Sequence, residues 1–456
     1  MDTNRDGTSA GMTGDAGTSA PWAPRFFTIF TGQAFSLFGS ALVQFGLVWW
    51  LTKETGSATV LAGATIAALL PQIVLGPFIG PLVDRWDRKR TMIVADGGIA
   101  LSTLVLSALF LLGVAEPWHV FIILAIRSLG SSFHGTAIQA SLSLIVPPAQ
   151  LTRVAGLRQT LHGVIGIVAP PAGALLLSVM PMQGLLMIDV VTAALAIGTI
   201  VPFAIPHPLA VHERKKSTYG ADLRAGFAYI ASWPGLMALI ILAMALNFFL
   251  SPAGSLLPLL VTKYFGKGAL ELGGLESLLG VGMIAGGLVL GAWGGFKRKI
   301  STSLLGVVGI GGGVLLAGAA PASMFWLAGA GILVTGLSNP VANGPIGAIL
   351  QSVVKPEMQG RVFTLVDSAA TAMMPLSLAI AGPVSDALGI QAWYVIGGGL
   401  CVVLAVAARF MPVLMNIEQD RAATSASPAT WDAAGASGEA PVAEPAEAMV
   451  AETVEV

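Results

Sequence analysis

Twelve long, almost uninterrupted apolar segments dominate this 456-residue chain. A helix needs about 20 apolar residues to cross a bilayer, and these segments reach that length. A transmembrane strand would instead show an alternating pattern of roughly ten residues, so a β-barrel does not fit. The pattern predicts an all-α membrane protein with twelve transmembrane helices. The segments lie at about 26–51, 58–83, 91–113, 118–146, 157–180, 184–204, 235–261, 271–295, 302–319, 323–350, 360–385 and 390–414.

Composition supports lipid as the solvent for most of the chain. Hydrophobic residues make up 55%, charged residues only 10%, and the mean hydropathy is +0.81. A soluble surface needs far more charge. Cys401 is the single cysteine, so neither a disulfide within the chain nor a cysteine-based metal site is predicted. A phosphate-binding G-x-x-x-x-G-K-[ST] loop is also lacking. We therefore expect no enzyme activity, no cofactor, no metal and no nucleic-acid partner.

The stretch GPLVDRWDRKR at residues 80–90 concentrates charge between two apolar segments. Short loops rich in Lys and Arg lie on the cytoplasmic side. With residue 1 inside, only Lys53, Lys263 and Lys267 of the 23 basic residues fall in outer loops, and Arg127 falls within a span. This asymmetry predicts a multi-pass protein of the cell membrane with both termini in the cytoplasm.

The two ends of the chain are polar. Residues 1–24 are rich in Gly, Ser and Thr and show no signal peptide, and residues 416–456 hold eight acids against Arg421 alone. Such compositions favour disorder, so both ends are predicted to be disordered cytoplasmic tails.

Residues 207–231, between the sixth and seventh segments, are predicted to form a cytoplasmic linker that contains a helix lying along the membrane surface. Leu223, Phe227 and Ile230 fall on one face of that helix, and its opposite face carries charge.

An internal repeat divides the apolar part of the chain. The segment VPPAQLTRV at 146–154 matches VKPEMQGRV at 354–362 at an offset of 208 residues. Basic triplets at 88–90 and 297–299 match at an offset of 209. Both offsets span six segments, which indicates tandem duplication. The repeat predicts two pseudo-symmetric six-helix halves, at 25–206 and 232–415.

Over residues 25–415 the chain resembles the major facilitator superfamily of transporters. The resemblance rests mainly on the loop GPLVDRWDRKR, which looks like the superfamily signature between helices two and three. Asp87 departs from the small residue usual there, and the second-half copy GAWGGFKRK lacks the aspartate. The segment GQAFSLFGSALVQFGLVWWLTKETGSA at 32–58 resembles the branch of macrolide-efflux and enterobactin-exporter proteins. The signature residues are Gly80, Asp84, Arg85, Arg88 and Lys89.

The resemblance implies that the two halves rock about a central cavity. Asp84 would then act as a latch that meets the positive amino-terminal end of the eleventh helix, near Gln359 and Gly360. A contact of that kind contributes at most about 2 kcal/mol, which suits a bond that breaks in every cycle. The competing interpretation is that the loop only determines topology.

The fifth segment, GVIGIVAPPAGALL at 163–176, is similar to the glycine-proline motif of antiporters. It has Ala-Pro-Pro where Gly-Pro is usual. The resemblance implies export rather than uptake. The matching residues are Gly163, Gly166, Pro170, Pro171 and Gly173.

Ionisable residues inside spans are costly and therefore candidates for function. Arg127, near mid-membrane, and His134, seven residues later on nearly the same face, are candidates for proton coupling, as is Asp189 in the sixth span. Arg127 could instead brace the bundle, and Asp189 could pair near the bilayer edge. For Asp96 and Asp367, close to the inner edge, capping or pairing is the favoured interpretation.

Polar and aromatic residues in the first and seventh spans are candidates for the substrate cavity. Hydrogen bonds between helices are an equal alternative for the amides. No acid precedes Glu54 in the first span, so a neutral or amphipathic substrate is expected. The candidates are Gln33, Gln44, Phe45, Asn247 and Phe248.

Together these features predict a monomeric secondary active exporter of small amphipathic molecules, drug, macrolide or siderophore-like, that exchanges them for protons. Two other functions remain open. One is an importer or facilitator with the same fold, and the other is a membrane sensor or scaffold that does not transport.

Overall fold

The computed structural model describes residues 22–203 and 219–418, and all regular structure in these two stretches is helical. Twelve of these helices are long and apolar enough to span a membrane, as predicted. The first six are α1 (Trp22–Thr55), α2 (Ala58–Arg85), α3 (Arg88–Leu111), α4 (Pro117–Ile145), α5 (Leu151–Val179) and α6 (Met182–Ile200). A shorter helix, α7 (Tyr219–Ala231), precedes the second half. The second six are α8 (Pro234–Leu259), α9 (Ala269–Trp293), α10 (Lys299–Ala319), α11 (Phe325–Val353), α12 (Pro356–Leu388) and α13 (Ile390–Arg409).

The predicted tails fall mostly outside the described residues, so they stay predictions. At the carboxyl end the fold continues through a short helix, α14 (Pro412–Met415), to residue 418. Ile417 is fully buried, and the Glu418 carboxylate accepts a hydrogen bond of 3.3 Å from the Ile300 amide of α10. These residues, which the sequence assigned to the tail, therefore belong to the packed second half.

Helix α7 packs differently from its predicted apolar face. Ile230 is buried, but Phe227 is 60% exposed. Gly226 approaches α12 instead, and a Cβ atom there would crowd the side chain of Leu365. Gly226 and Ile230 are four residues apart and therefore lie on the same face of the helix, which is the face that packs. The side chain of Leu223 lies outside the described residues.

The bundle has two ends of different composition. One end, which we call the basic end, holds the Lys- and Arg-rich loops at 85–90 and 297–299. The other, which we call the sealed end, holds the α1–α2 and α12–α13 connections. These two connections turn at Gly56 and Gly389, both with positive φ, a conformation that glycine adopts without strain.

The two halves meet mainly through two helix pairs, α2 with α12 and α5 with α9. A single apolar core crosses between the halves, and its residues all lie toward the sealed end; Leu61, Leu256 and Leu275 are examples. At the basic end the apolar clusters are separate for each half. The first half has two, which contain Val83 and Val154, and the second half has one, which contains Val362. Among the described residues, the apolar core that the two halves share therefore lies toward the sealed end.

Candidate functional site

A cavity of about 290 Å³ lies inside the amino-terminal half, among α1, α3, α4, α5 and α6. Its apolar walls carry several polar side chains that a purely structural core would lack. Burial of a polar group costs free energy unless the group finds a partner, so such clusters point to function. The polar side chains on these walls include Gln33, Ser36, Ser40, Asp96, Ser131 and His134.

A charged network lies next to this cavity, around the fully buried Asp189 of α6. The guanidinium of Arg127 on α4 forms an ion pair with Asp189 Oδ2. Thr103 of α3 donates to the same oxygen at 3.2 Å and accepts from Arg127 at 2.6 Å. Ser40 of α1 donates to Asp189 Oδ1 at 2.9 Å. A buried ion pair needs such additional hydrogen bonds to offset its desolvation.

The local sequence explains why Ser40 reaches this carboxylate. The preceding residue, Gly39, faces α6, and a Cβ atom there would overlap the Thr192 hydroxyl and crowd the Asp189 backbone. The missing side chain lets α1 and α6 approach closely. Because Ser40 also lines the cavity, it links Asp189 to the open space.

A second pair of ionisable side chains lies on the cavity wall itself. His134 Nδ1 of α4 is 2.9 Å from Asp96 Oδ1 of α3, an ion-pair distance when the imidazole is protonated. The approach is not that of a directed hydrogen bond. Gly130 brings the two helices together, since a Cβ atom there would crowd Ile99. Asp96, expected to cap or pair at the membrane edge, thus pairs with a cavity histidine.

The predicted substrate residues separate into two groups. Gln33 lines the cavity and is 5% exposed. The other four do not line it: Gln44 is exposed, Phe45 packs on Gly173, Asn247 bonds the Ala243 carbonyl at 3.0 Å, and Phe248 lies beside Trp393.

The antiporter-like motif lies at the contact between the halves. Gly273 of α9 packs against the backbone of Pro170 and Pro171 on α5. Pro171 has no N–H, so the carbonyl of Ile167 lacks its helical partner. Ser277 of α9 donates to that carbonyl at 2.7 Å.

The remaining glycines of this motif differ in their surroundings. Gly173 packs against Phe45, whereas Gly163 and Gly166 face open space.

The basic residues of the 80–90 loop bind within the amino-terminal half. Arg88, buried at the start of α3, donates to the Ala140 carbonyl of α4 at 2.7 Å. Lys89 donates to the Val201 carbonyl at the end of α6 at 2.6 Å, where a helix terminus favours positive charge.

The other loop residues are less engaged. Arg85 is exposed, and Gly80 has free space around it. Asp84 lies in the last turn of α2, but its side chain lies outside the described residues, so the latch stays a prediction.

Asp386 of α12 makes a contact between the halves that the sequence did not indicate. It accepts hydrogen bonds from the amides of Ala58 at 2.7 Å and Thr59 at 2.9 Å, and from the Ser57 hydroxyl at 2.8 Å. These groups form the amino-terminal end of α2, where N–H groups lack helical partners. Asp386 therefore caps α2 from the opposite half.

Comparison with known proteins identifies the family to which this fold belongs. The profile of the Major Facilitator Superfamily matches residues 29–377, more than half of the chain. The chain belongs to the Major Facilitator Superfamily.

Several superfamily members resemble the chain over most of its length. Macrolide efflux protein A of Streptococcus pyogenes is 35% identical over 388 residues, which cover 84% of this chain and 95% of that protein. The multidrug efflux pump Tap of Mycolicibacterium fortuitum is 23% identical over 393 residues, covering 83% and 94%. The chain is therefore a transporter of this superfamily with efflux proteins among its relatives, and a multi-pass membrane protein.

Solved structures of superfamily members share the fold. A nucleoside transporter superposes with a TM-score of 0.68 at 16% identity, covering 86% of this chain and all of that one. A bacterial homologue of the lysosomal transporter Spinster, inward-facing and unoccupied, gives 0.66 at 13% identity, covering 90% and 100%.

Proposed function

We propose that this chain is a secondary active exporter of small amphipathic, macrolide-like molecules, driven by proton antiport. The observation that carries the proposal is the position of Asp189, which is fully buried, paired with Arg127 and joined through Ser40 to a cavity whose apolar walls carry polar side chains. The 35% identity to a macrolide efflux protein supports the direction and the class of substrate.

The basic end faces the cytoplasm in this proposal, because Lys and Arg accumulate on that side of a membrane. The separate cores of the two halves at that end then correspond to an inward-facing conformation. A substrate enters the cavity from the cytoplasm, and the shared core at the sealed end blocks its exit to the outside.

Asp189 is the proton carrier in this cycle. In the inward-facing state it is ionised and held by Arg127, Thr103 and Ser40. When the sealed end opens, a proton from outside binds the carboxylate and weakens its bond to Arg127. After the halves rock back, Arg127 recovers the carboxylate as the proton leaves to the cytoplasm. Substrate moves outward while the proton moves inward.

Rocking requires that the contacts at the sealed end break and re-form. Asp386 makes three hydrogen bonds at the start of α2, and Ser277 makes one to α5. The net contribution of a hydrogen bond is only about 1 kcal/mol, so contacts of this size can break in a cycle. At the opposite end, the latch role of Asp84 is part of the proposal. Asp84→Asn should slow turnover and leave membrane insertion intact, whereas normal transport in that variant would remove the latch.

Proton flux across proteoliposomes tests the function. The vesicles contain purified protein and an internal pH dye, and macrolides, dyes and siderophores are added in turn. We expect substrate-dependent proton movement in the wild type and in Asp367→Asn, which removes an exposed acid of α12. We expect none in Asp189→Asn.

Other outcomes would redirect the proposal. Unchanged proton flux in Asp189→Asn would remove this residue as the carrier. Net substrate movement toward the cytoplasmic side would identify an importer or facilitator. Ligand binding with no transport of any kind would identify a sensor or scaffold.

A further inference from the structure

Three buried polar atoms of cavity-lining side chains have no hydrogen-bond partner among the described residues. One is His134 Nδ1, which lies 2.9 Å from Asp96 Oδ1, and the other two are Asp96 Oδ2 and Gln33 Nε2. Asp96 is 6% exposed and Gln33 5% exposed. An unpaired buried acceptor or donor is costly, and folded proteins rarely tolerate one without a functional reason.

We propose that Asp96 Oδ2 and Gln33 Nε2 form a subsite for a protonated amine that carries a neighbouring hydroxyl group. The amine N–H donates to Asp96 Oδ2, and the hydroxyl oxygen accepts from Gln33 Nε2. This inference rests on the proposed function, since it names the part of an exported substrate that the amino-terminal half binds. It also revises the expectation of a neutral substrate, which considered acids in the first span only.

Charge favours a cation at this depth of the cavity. Asp96 is the only acid on the described cavity wall, and it is buried where solvent screens it weakly. The positive or titratable groups that face the same cavity are His134, His162 and Arg158. His162 is exposed, and Arg158 donates to Gln139 of α4, so both lie in more solvated surroundings than Asp96.

The size of the cavity limits what it can hold. Pockets for drug-sized ligands occupy about 300–1,000 Å³, and this cavity of about 290 Å³ lies at the lower limit. It therefore accommodates one substituted ring rather than a whole macrocycle. The rest of a larger substrate extends beyond the cavity.

A matched pair of small ligands tests the subsite. Dimethylaminocyclohexanol carries an amine beside a hydroxyl on a single ring, and isopropylcyclohexanol replaces its nitrogen by carbon with little change of shape. Binding is read as protection of Ser131→Cys, on the cavity wall, from a maleimide. The full-length protein carries Cys401→Ala, so that the introduced thiol is the only one. Ser178→Cys, exposed on α5 outside the cavity, controls for direct effects on the reagent.

We expect the amine to protect Ser131→Cys at a concentration at least about 10-fold lower than the carbon analogue, because hydrogen bonds to charged groups are strong. Adding Asp96→Asn should remove this difference, and adding Asp367→Asn should not. Equal protection by the two ligands would overturn the subsite. So would lack of protection by the amine up to its solubility limit.

The comparison of ligands in the protein with native Asp96 remains decisive even if Asp96→Asn fails to fold. The assay also needs no transport. Protection by the amine together with absent proton flux would retain the subsite and reject the antiport proposal. Proton-coupled export without amine-selective protection would retain the antiport proposal and reject the subsite.

Discussion

The Asp386 carboxylate accepts a hydrogen bond of 2.8 Å from the Ser57 hydroxyl, although the two residues belong to opposite halves of the transporter. The same carboxylate receives two backbone amides at the start of α2. One side chain of the second half therefore completes a helix end of the first half.

Replacing Asp386 by Ala should shift the protein toward opening of the sealed end. Loss of a helix cap costs about 0.5–2 kcal/mol, which corresponds to a change of roughly 2- to 30-fold in the ratio of the two states. Spin labels at Lys53 and Lys267, exposed at the sealed end on opposite halves, report the distance distribution between the halves.

Asp87→Ala is the matched control for this experiment. Asp87 also caps a helix, through the Arg90 amide at 2.8 Å, but within its own half. We expect its loss to leave the distribution between Lys53 and Lys267 unchanged. An identical shift in both variants would mean that Asp386 acts only on general stability.

The Ser277 hydroxyl should matter only because Pro171 leaves the Ile167 carbonyl without a helical partner. Ser277→Ala should favour opening of the sealed end by about 1–2 kcal/mol, since that carbonyl then lacks its donor. Pro171→Ala restores an N–H, so Ser277→Ala should have little effect in that background. The same distance measurement on the single and double variants gives the coupling.

Ser377 provides a control for this cycle. It donates to the Phe248 carbonyl, which Pro252 leaves without a helical partner, and all three residues lie in the second half. Ser377→Ala should lower the melting temperature but leave the distance between the halves unchanged. Additive effects of Ser277→Ala and Pro171→Ala would show that the proline does not create the need for the serine.

Arg127 and Asp189 should show strong non-additivity in stability. Arg127→Met or Asp189→Leu alone leaves one buried charge unpaired, which costs about 3–5 kcal/mol. The double variant removes both charges, and we expect it to melt higher than either single variant. Melting temperatures of the purified protein in detergent test this, and a double variant less stable than both singles would contradict it.

Adjacent glycines of α9 should respond in opposite ways to alanine. A Cβ atom at Gly286 would overlap the Leu337 carbonyl of α11, whereas Gly287 faces open space. Gly286→Ala should therefore cost roughly 1–3 kcal/mol through overpacking. Gly287→Ala should be neutral or more stable by up to about 1 kcal/mol, because alanine favours a helix. Melting curves in detergent compare the two, and equal effects would indicate that α9 shifts to relieve the contact.

Sequence reasoning predicted the twelve spans because hydropathy depends on each segment alone. Helix α9, for example, was expected at 271–295 and lies at Ala269–Trp293. Within this helix, Gly286 packs closely against Leu337 of α11.

The partners of the charged residues were beyond the sequence. Arg127, His134 and Asp189 were singled out by their depth in spans, but their pairing depends on which helix faces lie together. Asp96 was assigned to capping or pairing at the membrane edge, because the sequence shows how far a residue lies from a loop but not which neighbour its helix face meets. In the structure Asp96 lies against His134. Phe45 was predicted from its residue type and span, and in the structure it packs on Gly173.

Asp386 and Ser277 escaped notice for another reason. Both bind backbone atoms of the opposite half, and the one side chain among these partners is the Ser57 hydroxyl, so no pair of opposite charges in the sequence marks either contact. The same property has an evolutionary consequence. Because every residue except proline offers the same amide and every residue the same carbonyl, the side chains that surround these backbone groups can change without removing the backbone partners of Asp386 and Ser277.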